Sequence, residues 1–377
     1  GQEVVFVETT HPSDRVLTVT WSLDGQVIPN TNNSRCLNLS QLHLPEGTFQ
    51  LTATLADPAE PNGQTDSLTW SVDNVLPTAP RKLSKPLTTI ADQVEHNVYF
   101  NEFEMLLEPQ DDQSGYDQPL YVAAEFQLNR GGWYNYFGFP DKPMGTPFKF
   151  THSGLDVRGL TYGNLGTGGH AKVPWEQLYL DHEIFGTFWP GFGTHTVEHR
   201  AIDPAGNIGL PDMFKATVLP GKSPEPTNIV TGQHKGKLVV EKGVTLIDGA
   251  TINGDVVVKP GASLVVSDGS TIKGDLQADR AAVIHLFGAT VDGKATISGT
   301  NDDVIIAGSK FKRTLTVSGN RCQVVKFLSG KLHQYGVALV GNVITGDLVC
   351  LDNIPGVTDF GAPNSVNGAR KGQATGL

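Results

Sequence analysis

From Gly236 onward the sequence repeats itself at a nearly constant interval. Five successive repeat units begin at Gly236, Gly254, Gly274, Gly293 and Arg313, so the intervals are 18, 20, 19 and 20 residues. Each unit contains two or three short apolar segments with alternating character. Such a period predicts one turn of a β-solenoid per unit. Aliphatic side chains would fill the interior, and glycine or asparagine would occupy the corners that need a positive φ.

The repeat continues toward the carboxyl end with one irregularity. A sixth unit starts at Gly346, and residues 334–345 read as part of another coil that follows an insertion. The tail, residues 355–377, has little apolar content, so we expect it to cap or wrap the open end of the solenoid.

The amino-terminal part of the chain reads as a first β-sandwich. Residues 16–28 alternate, turn at an Asp-Gly pair and alternate again, which predicts a hairpin. Residues 44–57 form a turn followed by a strand, and we expect Trp21 and Trp70 to pack in the core.

A Pro-rich segment at 76–87 leads into a second, larger sandwich. Its predicted strands are bounded by Gly, Pro, Asn or Asp and lie at 102–109, 121–129, 133–140, 194–203 and 214–221. A long irregular insertion, rich in glycine, occupies 141–190. No window shows a sustained helical period, and the 43 glycines and 23 prolines favour short strands joined by turns.

These observations predict an all-β chain made of two β-sandwiches and a short right-handed parallel β-helix. The predicted boundaries are 1–78 for the first sandwich, 79–220 for the second, 221–229 for a Pro-rich linker, and 230–377 for the solenoid with its cap.

Charge and apolar patterning exclude some partners. The net charge is −11, and a negative surface repels the phosphates of nucleic acids and anionic membranes. No apolar run reaches the length of a membrane span, and no signal peptide is present, so we expect a mature or trimmed product. Of the three cysteines, Cys322 and Cys350 are the pair we expect to form a disulfide if one forms.

Aromatic residues are the best candidates for ligand contacts. They crowd into residues 133–139 and recur through the 141–190 insertion. Exposed flat rings beside Asn, Asp and Gln suit stacking on sugars, whereas the alternative is that the rings only close the insertion over the core. The predicted contact residues are Trp133, Tyr136, Trp175 and Trp189, with Asp181 and Glu183 as polar partners.

Three further groups have the residue types of metal ligands, and one is the run of Asp181, His182 and Glu183 in the insertion, for which a solvated acidic loop is the favoured alternative. Asp111, Asp112 and Asp117 surround a glycine turn and form a calcium candidate, because calcium takes six to eight oxygens; an Asx turn between strands is the alternative. His195 and His199 alternate with Val197 on one face of a predicted strand, which favours a packed or surface role over metal binding. No other cofactor is predicted.

No catalytic motif is present in the sequence. There is no nucleophile elbow, no phosphate-binding loop and no zinc-ligand spacing. The residues directly after the repeat glycine are Asp255, Asp275, Lys294 and Asp347, and recurrence at one coil position favours turn chemistry over a catalytic site. We therefore expect the chain by itself not to be an enzyme.

Two motifs and the repeat region carry a resemblance to known modules. The segment GTHTVEHRAIDPAGNIG at 193–209 resembles the strand and turn of Ig-like β-sandwich modules in secreted bacterial hydrolases. LTVTWSLDG followed by LPEGTFQLTATLAD resembles the small sandwich downstream of the catalytic domain in IgA-peptidase-type metalloproteases. The repeats are similar to short bactofilin-like solenoids. Similar tails carry a cysteine near the end, whereas this chain has Ala374 there.

The resemblance implies two Ig-like sandwiches in a non-catalytic accessory or binding region of a secreted protein. It would bind a polysaccharide or a cell-surface glycan, and an upstream catalytic domain would be its partner. Two alternatives remain open. One is a polysaccharide lyase or glycoside hydrolase with its site on the β-helix, and the other is a structural surface or filament protein.

Overall fold

The structure of the chain is a computed structural model. It describes residues 4–7, 18–57, 60–111, 123–135, 148–151, 192–203, 206–321, 324–326, 332–334 and 337–377. Apart from two 3₁₀-helices, the regular elements in these ranges are all β-strands. The prediction of an all-β chain with sandwich-like sheets and a parallel solenoid is confirmed. Within the same ranges, no helix is long and apolar enough to cross a membrane.

The amino-terminal part forms a four-stranded antiparallel sheet, ordered β3-β2-β5-β6, and a two-stranded sheet of β1 and β4. A 3₁₀-helix, Leu39–Leu42, follows β4. The strands are β1 (Val4–Phe6), β2 (Thr18–Leu23), β3 (Gln26–Val27), β4 (Cys36–Asn38), β5 (Gly47–Asp57) and β6 (Glu60–Val72).

The predicted Asp-Gly hairpin joins β2 to β3. Asp24 and Gly25 have φ values of 46° and 80°, the positive pair that a tight two-residue turn between twisted strands requires. Trp21 is buried, and its indole N–H donates to the Ser34 carbonyl at 2.8 Å. Burying the ring while satisfying its one donor lets Trp21 anchor this core, which consists of Val19, Trp21, Leu37, Leu39, Leu51 and Ala53.

The next nine strands form two sheets, a three-stranded sheet ordered β13-β10-β7 and a six-stranded sheet ordered β12-β11-β14-β15-β9-β8. In the second, β15 and β9 run parallel. The strands are β7 (Arg81–Leu83), β8 (Thr88–Thr89), β9 (His96–Phe100), β10 (Glu102–Leu107), β11 (Ala123–Leu128), β12 (Tyr134–Asn135), β13 (Phe148–Thr151), β14 (Gly193–Ile202) and β15 (Asp212–Leu219).

The chain divides into two compact units. The first unit contains 1–80, 107–125 and 199–211, and the second contains 81–106, 126–198 and 212–377. The second unit therefore includes the whole solenoid together with β8, β9 and β15.

The solenoid consists of stacked coils with three short strands each, which confirms the repeat read from the sequence. A hairpin of β31 and β32 is the insertion, and the tail adds a further coil. The strands are β16 (Asn228–Val230), β17 (Gln233–His234), β18 (Leu238–Val240), β19 (Val244–Ile247), β20 (Thr251–Ile252), β21 (Val256–Val258), β22 (Ser263–Val266), β23 (Thr271–Ile272), β24 (Leu276–Asp279), β25 (Ile284–Phe287), β26 (Thr290–Val291), β27 (Ala295–Ser298), β28 (Val304–Ala307), β29 (Lys310–Phe311), β30 (Leu315–Ser318), β31 (Val324–Lys326), β32 (Leu332–Gln334), β33 (Ala338–Val340), β34 (Val343–Ile344), β35 (Leu348–Leu351), β36 (Ser365–Val366) and β37 (Arg370–Gly372).

These strands stack into three parallel sheets, one on each wall of the solenoid. The first is ordered β16-β19-β22-β25-β28-β33, the second β17-β20-β23-β26-β29-β34-β36, and the third β18-β21-β24-β27-β30-β35-β37. Aliphatic side chains such as Ile252, Ile272 and Val291 are fully buried in the interior. A second 3₁₀-helix, Gln373–Gly376, follows the last coil and buries Ala374.

The repeat glycine is required by close approach of neighbouring coils. A Cβ atom on Gly293 would lie 2.4 Å from the carbonyl oxygen of Gly274, and one on Gly274 would lie 2.6 Å from the carbonyl carbon of Gly254. Real Cβ contacts are not this short, so a side chain at these positions would push the coils apart. The second and third sheets meet at this corner.

Asparagine has a different role from the one predicted at the corners. Positive φ at these turns falls mainly on glycine, for example Gly319 and Gly341, and not on the asparagine that follows. Asn320 and Asn342 are instead fully buried, and the amide nitrogen of Asn342 donates to the amide oxygen of Asn364, also buried, at 2.8 Å. Asn320 donates in the same way to Asn353 at 2.8 Å in a separate ladder, and each ladder contact satisfies a polar group that burial removes from water.

Cys350 lies inside the solenoid with a free, buried thiol, and burial raises its pKa to about 12. The disulfide to Cys322, the pair favoured if one formed, is therefore not made by Cys350. Cys350 points inward on β35 among the aliphatic residues of the core, and Cys322 itself lies outside the described residues.

One wall of the solenoid is covered by strands of the larger sandwich within the second unit. Val98 and Leu219 pack with solenoid residues Val265, Phe287 and Ile305 in a single buried cluster. Side chains on both faces of this first solenoid sheet are consequently buried, as β22 and β25 show along their full lengths. A strand with two buried faces reads as a continuous apolar run in the sequence.

Candidate functional site

In the first unit, three chain segments that are distant in sequence meet at one place. Thr78 and Gln110 exchange backbone hydrogen bonds of 2.8 and 2.7 Å. The side-chain amide of Asn207 donates to the Asp73 carbonyl at 2.9 Å. These contacts bring the end of the first sandwich, the segment after β10 and the turn after β14 to one place.

Three carboxylates lie together at this meeting point. Each of Asp73, Asp111 and Asp203 offers a carboxylate oxygen, and these oxygens lie within 4.8 Å of one another. Asp73 is 9% exposed and Asp203 is 4% exposed, whereas Asp111 is half-buried. We call these residues the three-aspartate cluster.

The turn after β14 fixes the orientation of Asp203. Its two carboxylate oxygens accept hydrogen bonds from Asn207, one from the backbone N–H and one from the side-chain amide, both at 2.8 Å. The Asp203 backbone N–H donates in return to the Asn207 carbonyl at 3.1 Å. Asp73 is held similarly, because its carboxylate accepts from the Val75 N–H at 3.0 Å.

The donor set of the cluster suits a hard divalent cation. Carboxylate oxygens are the ligands that Ca²⁺ prefers, and a Ca²⁺ ion takes six to eight oxygens, some from backbone carbonyls and water. Carboxylates held this close repel one another, and low solvent exposure strengthens that repulsion. A bound cation would offset it, so the cluster is the described site best suited to hold a metal.

The calcium candidate predicted from the sequence is only partly contained in this cluster. Asp111 belongs to it, while Asp112 and Asp117 lie outside the described residues. Asp73 and Asp203 were not predicted as ligands. Asp203 begins the Asp-x-Ala-Gly-Asn turn, which the sequence presented as a fold signature, and no spacing in the sequence connects it to Asp73.

The predicted sugar-binding surface stays a prediction. Trp133 is half-buried between β11 and β12. The other predicted residues lie outside the described residues, namely Tyr136, Trp175, Asp181, Glu183 and Trp189.

His195 and His199 share the inward face of β14 with Val197, as the alternation predicted. All three side chains are buried, and His195 Nδ1 lies 3.1 Å from the side-chain amide of Asn129.

A cavity of about 550 Å³ opens on the second unit beside β7, β9 and β15. Arg81 lines this cavity and contacts three other residues there. The Arg81 guanidinium donates to Glu95 at 2.7 Å and to Asp212, and it lies 5.0 Å from the centroid of the Phe214 ring. Burial raises the pKa of Glu95. Hydrogen bonds from Asn97 and Arg81 lower this pKa by a larger amount, so it lies below its usual value. The cavity's main charged groups thus bind one another, which gives it a structural role.

Comparisons with known proteins leave the family open. No family model matches the chain, and no curated protein matches it. Among solved structures, the chain is similar to the fibronectin(III)-like modules of Clostridium thermocellum CbhA. The identity is 12%, and the match covers 56% of this chain and 83% of that chain with a TM-score of 0.28. A similarity at this level carries no conclusion about fold or function.

Proposed function

We propose that the chain is a non-catalytic accessory region of an extracellular protein, which attaches that protein to a carbohydrate or a cell surface. The observation that carries the proposal is that the recurring carboxylates of the solenoid accept backbone hydrogen bonds from the next coil. Asp275 accepts a hydrogen bond from the backbone N–H of Lys294 at 2.8 Å, and Asp255 accepts one from Asp275 at 2.9 Å. Asp347 does the same for Ala369. The most regular acidic residues therefore join coils to one another.

The enzyme alternative placed a site on the β-helix or where it meets the sandwich. His285 lies at that position in the second unit, with Nδ1 3.2 Å from Ser223 Oγ. Its side chain is 0% exposed, and burial lowers its pKa to about 3. A general base must reach the proton that it removes and must have a pKa near the working pH. His285 meets neither condition, which supports the non-catalytic proposal.

The filament alternative requires the solenoid ends to stack. At the carboxyl end, the 3₁₀-helix Gln373–Gly376 lies across the last coil with Ala374 buried, and the Arg370 guanidinium donates to the carbonyls of Asn364 and Leu377. A covered end does not present free strand edges for pairing with another copy. This observation favours an attachment module over a stacking subunit.

We further propose that the three-aspartate cluster binds Ca²⁺ and that the ion stabilises the first unit. The ion would join the segments that carry Asp73, Asp111 and Asp203. Its role in this proposal is structural.

A paired assay of activity and binding tests the accessory function. The purified chain is incubated with a panel of plant, microbial and host glycans. We expect retention of the chain on at least one glycan without release of reducing ends or unsaturated products. Reproducible release of such products by the purified chain would establish the enzyme alternative. Concentration-dependent growth in light scattering would establish the filament alternative.

A further inference from the structure

The solenoid carries a cluster of cations at the corner between its second and third sheets. Five exposed basic residues lie on three successive coils, and we call them the basic patch: Lys273, Lys294, Lys310, Lys312 and Arg313. Pairing of Thr271 with Thr290 and of Thr290 with Lys310 fixes the register. The cations are therefore neighbours across coils, although the sequence separates them.

Two carboxylates lie within the patch, and both have defined partners. Asp292 is shared by Lys312 at 2.8 Å and Lys273 at 3.5 Å, and these contacts lower the pKa of its carboxyl group, Lys312 first. Asp275 accepts the backbone N–H of Lys294. Within the described part of the chain, no carboxylate forms an ion pair with Lys294 or its neighbours Lys310 and Arg313.

Five cations and two carboxylates leave an excess of three positive charges on this surface, in a chain whose net charge is −11. A local patch of opposite sign on an acidic protein attracts an anionic partner at close range. The acidic remainder of the chain repels the same partner at longer range, so a partner with a lower charge density than duplex DNA fits best.

The residues around the patch define the partner further. On the same three coils, the outward positions beside it carry hydroxyl and amide groups, on Thr271, Thr290, Thr296, Thr316 and Gln277. Single-stranded nucleic acid is held by aromatic stacking, and a membrane surface by inserted apolar side chains, and these positions offer neither. Hydroxyl and amide groups instead match the hydroxyls of a sugar chain. Neighbouring coils are about 4.8 Å apart, so the five cations are spread over a surface that spans three coils, with Lys273 and Lys312 at equivalent positions two coils apart.

We propose that the basic patch binds a linear polysaccharide that carries carboxylate groups. The inference rests on the proposed attachment function and names its ligand class. Arg313 offers a planar fork to a carboxylate, while the lysines provide point charges. Because the patch is exposed, binding will weaken as salt rises, since the Debye length falls to about 8 Å at 0.15 M.

The test uses the full chain and polygalacturonate, with neutral dextran as the comparison polymer. The patch variant combines Lys310→Gln, Lys312→Gln and Arg313→Gln. The control variant removes the same charge from another corner of the solenoid through Lys242→Gln, Lys259→Gln and Arg280→Gln. We expect the patch variant to bind polygalacturonate about tenfold more weakly or worse, which corresponds to roughly 1.4 kcal/mol, and the control variant to bind within about twofold of the parent. Circular dichroism and melting temperature verify that both variants fold.

Several outcomes would overturn the inference. Equal losses in the two variants would mean that net charge alone acts, and failure of the parent to bind polygalacturonate at low salt would remove the ligand class. Tighter, patch-dependent binding of DNA or of phosphatidylserine vesicles would assign the patch to another partner. Retention on a neutral glycan alone would support the attachment function and would contradict binding of an acidic polysaccharide by the basic patch. Patch-dependent binding accompanied by cleavage of polygalacturonate would overturn the non-catalytic function and keep the patch.

Discussion

Phe100, the last residue of β9, meets Phe287 on the solenoid edge-to-face, with ring centroids 5.6 Å apart and planes at 89°. This geometry places the positive edge of one ring on the negative face of the other. Phe100 also lies 5.8 Å from the His285 ring. The contact belongs to the buried cluster that sandwich strands and solenoid share within the second unit. Neither part is therefore expected to unfold independently of the other.

Truncation of Phe287 should test this coupling. Phe287 is 3% exposed, and Phe→Ala changes in a core cost about 3–5 kcal/mol. We expect Phe287→Ala to lower the melting temperature and to separate unfolding of the second unit into two calorimetric transitions. Leu351→Ala, at a site 44% exposed on the same solenoid, is the control and should change stability little. A single transition in Phe287→Ala, with unchanged midpoint, would contradict a shared core.

The asparagine ladder makes a separate prediction about the solenoid. Asn342 donates its side-chain amide to the Asn364 amide oxygen at 2.8 Å and to the Ile306 carbonyl at 2.9 Å. Asn342→Ala removes the acceptor of the buried Ser309 N–H and the side-chain donor to the Ile306 carbonyl, so we expect a loss of about 2–3 kcal/mol in urea unfolding. Asn367→Ala, an exposed position one coil further on, should cost less than about 0.5 kcal/mol. Equal costs at the two sites would mean that the ladder adds no stability.

Calcium should stabilise the parent chain. In differential scanning calorimetry we expect CaCl₂ to raise the melting temperature of the first unit by an amount that grows with the CaCl₂ concentration. The reason is that a ligand that binds only the folded state shifts the folding equilibrium by mass action. EDTA should reverse the shift. Asp203→Asn should abolish the response, whereas Asp66→Asn, an exposed change of the same charge, should preserve it. An identical response in all three chains would contradict binding at the three-aspartate cluster.

Asp303 provides a test of pH dependence. Burial, followed by the charge of Asp302, raises the pKa of Asp303 to about 6. A carboxyl group whose pKa is higher in the folded state favours folding when protonated, so stability falls as pH rises from about 4 through 6. Asp303→Asn removes this cost. We expect its melting temperature to exceed the parent's by roughly 2–4 °C at pH 7.5 and to converge with it near pH 4.

Asp302→Asn is the matched comparison for that experiment. Burial also raises the pKa of Asp302, but this carboxyl is less buried than that of Asp303, so its substitution should give a smaller effect of the same sign. A parent chain whose melting temperature differs from that of Asp303→Asn by the same amount at both pH values would show that Asp303 does not titrate in this window.

The strands and the solenoid could be predicted from the sequence because their signals are local. Asp24 and Gly25 are adjacent and specify their turn, and the alternation of His195, Val197 and His199 specifies one buried face of β14. The solenoid repeat is equally local, since each coil pairs with the next at a nearly constant interval. Short-range geometry of the backbone is sufficient to determine such elements.

The three-aspartate cluster was decided only by tertiary structure. Asp73, Asp111 and Asp203 lie on segments far apart in sequence, and no period connects them. The contact of Phe100 with Phe287 is of the same kind, because packing of one sheet on another depends on shape and not on spacing. The free state of the Cys350 thiol is also decided by tertiary structure, because its inward orientation places the thiol in an apolar interior. Local pattern determines which way a side chain faces, whereas only the assembled fold determines what it meets.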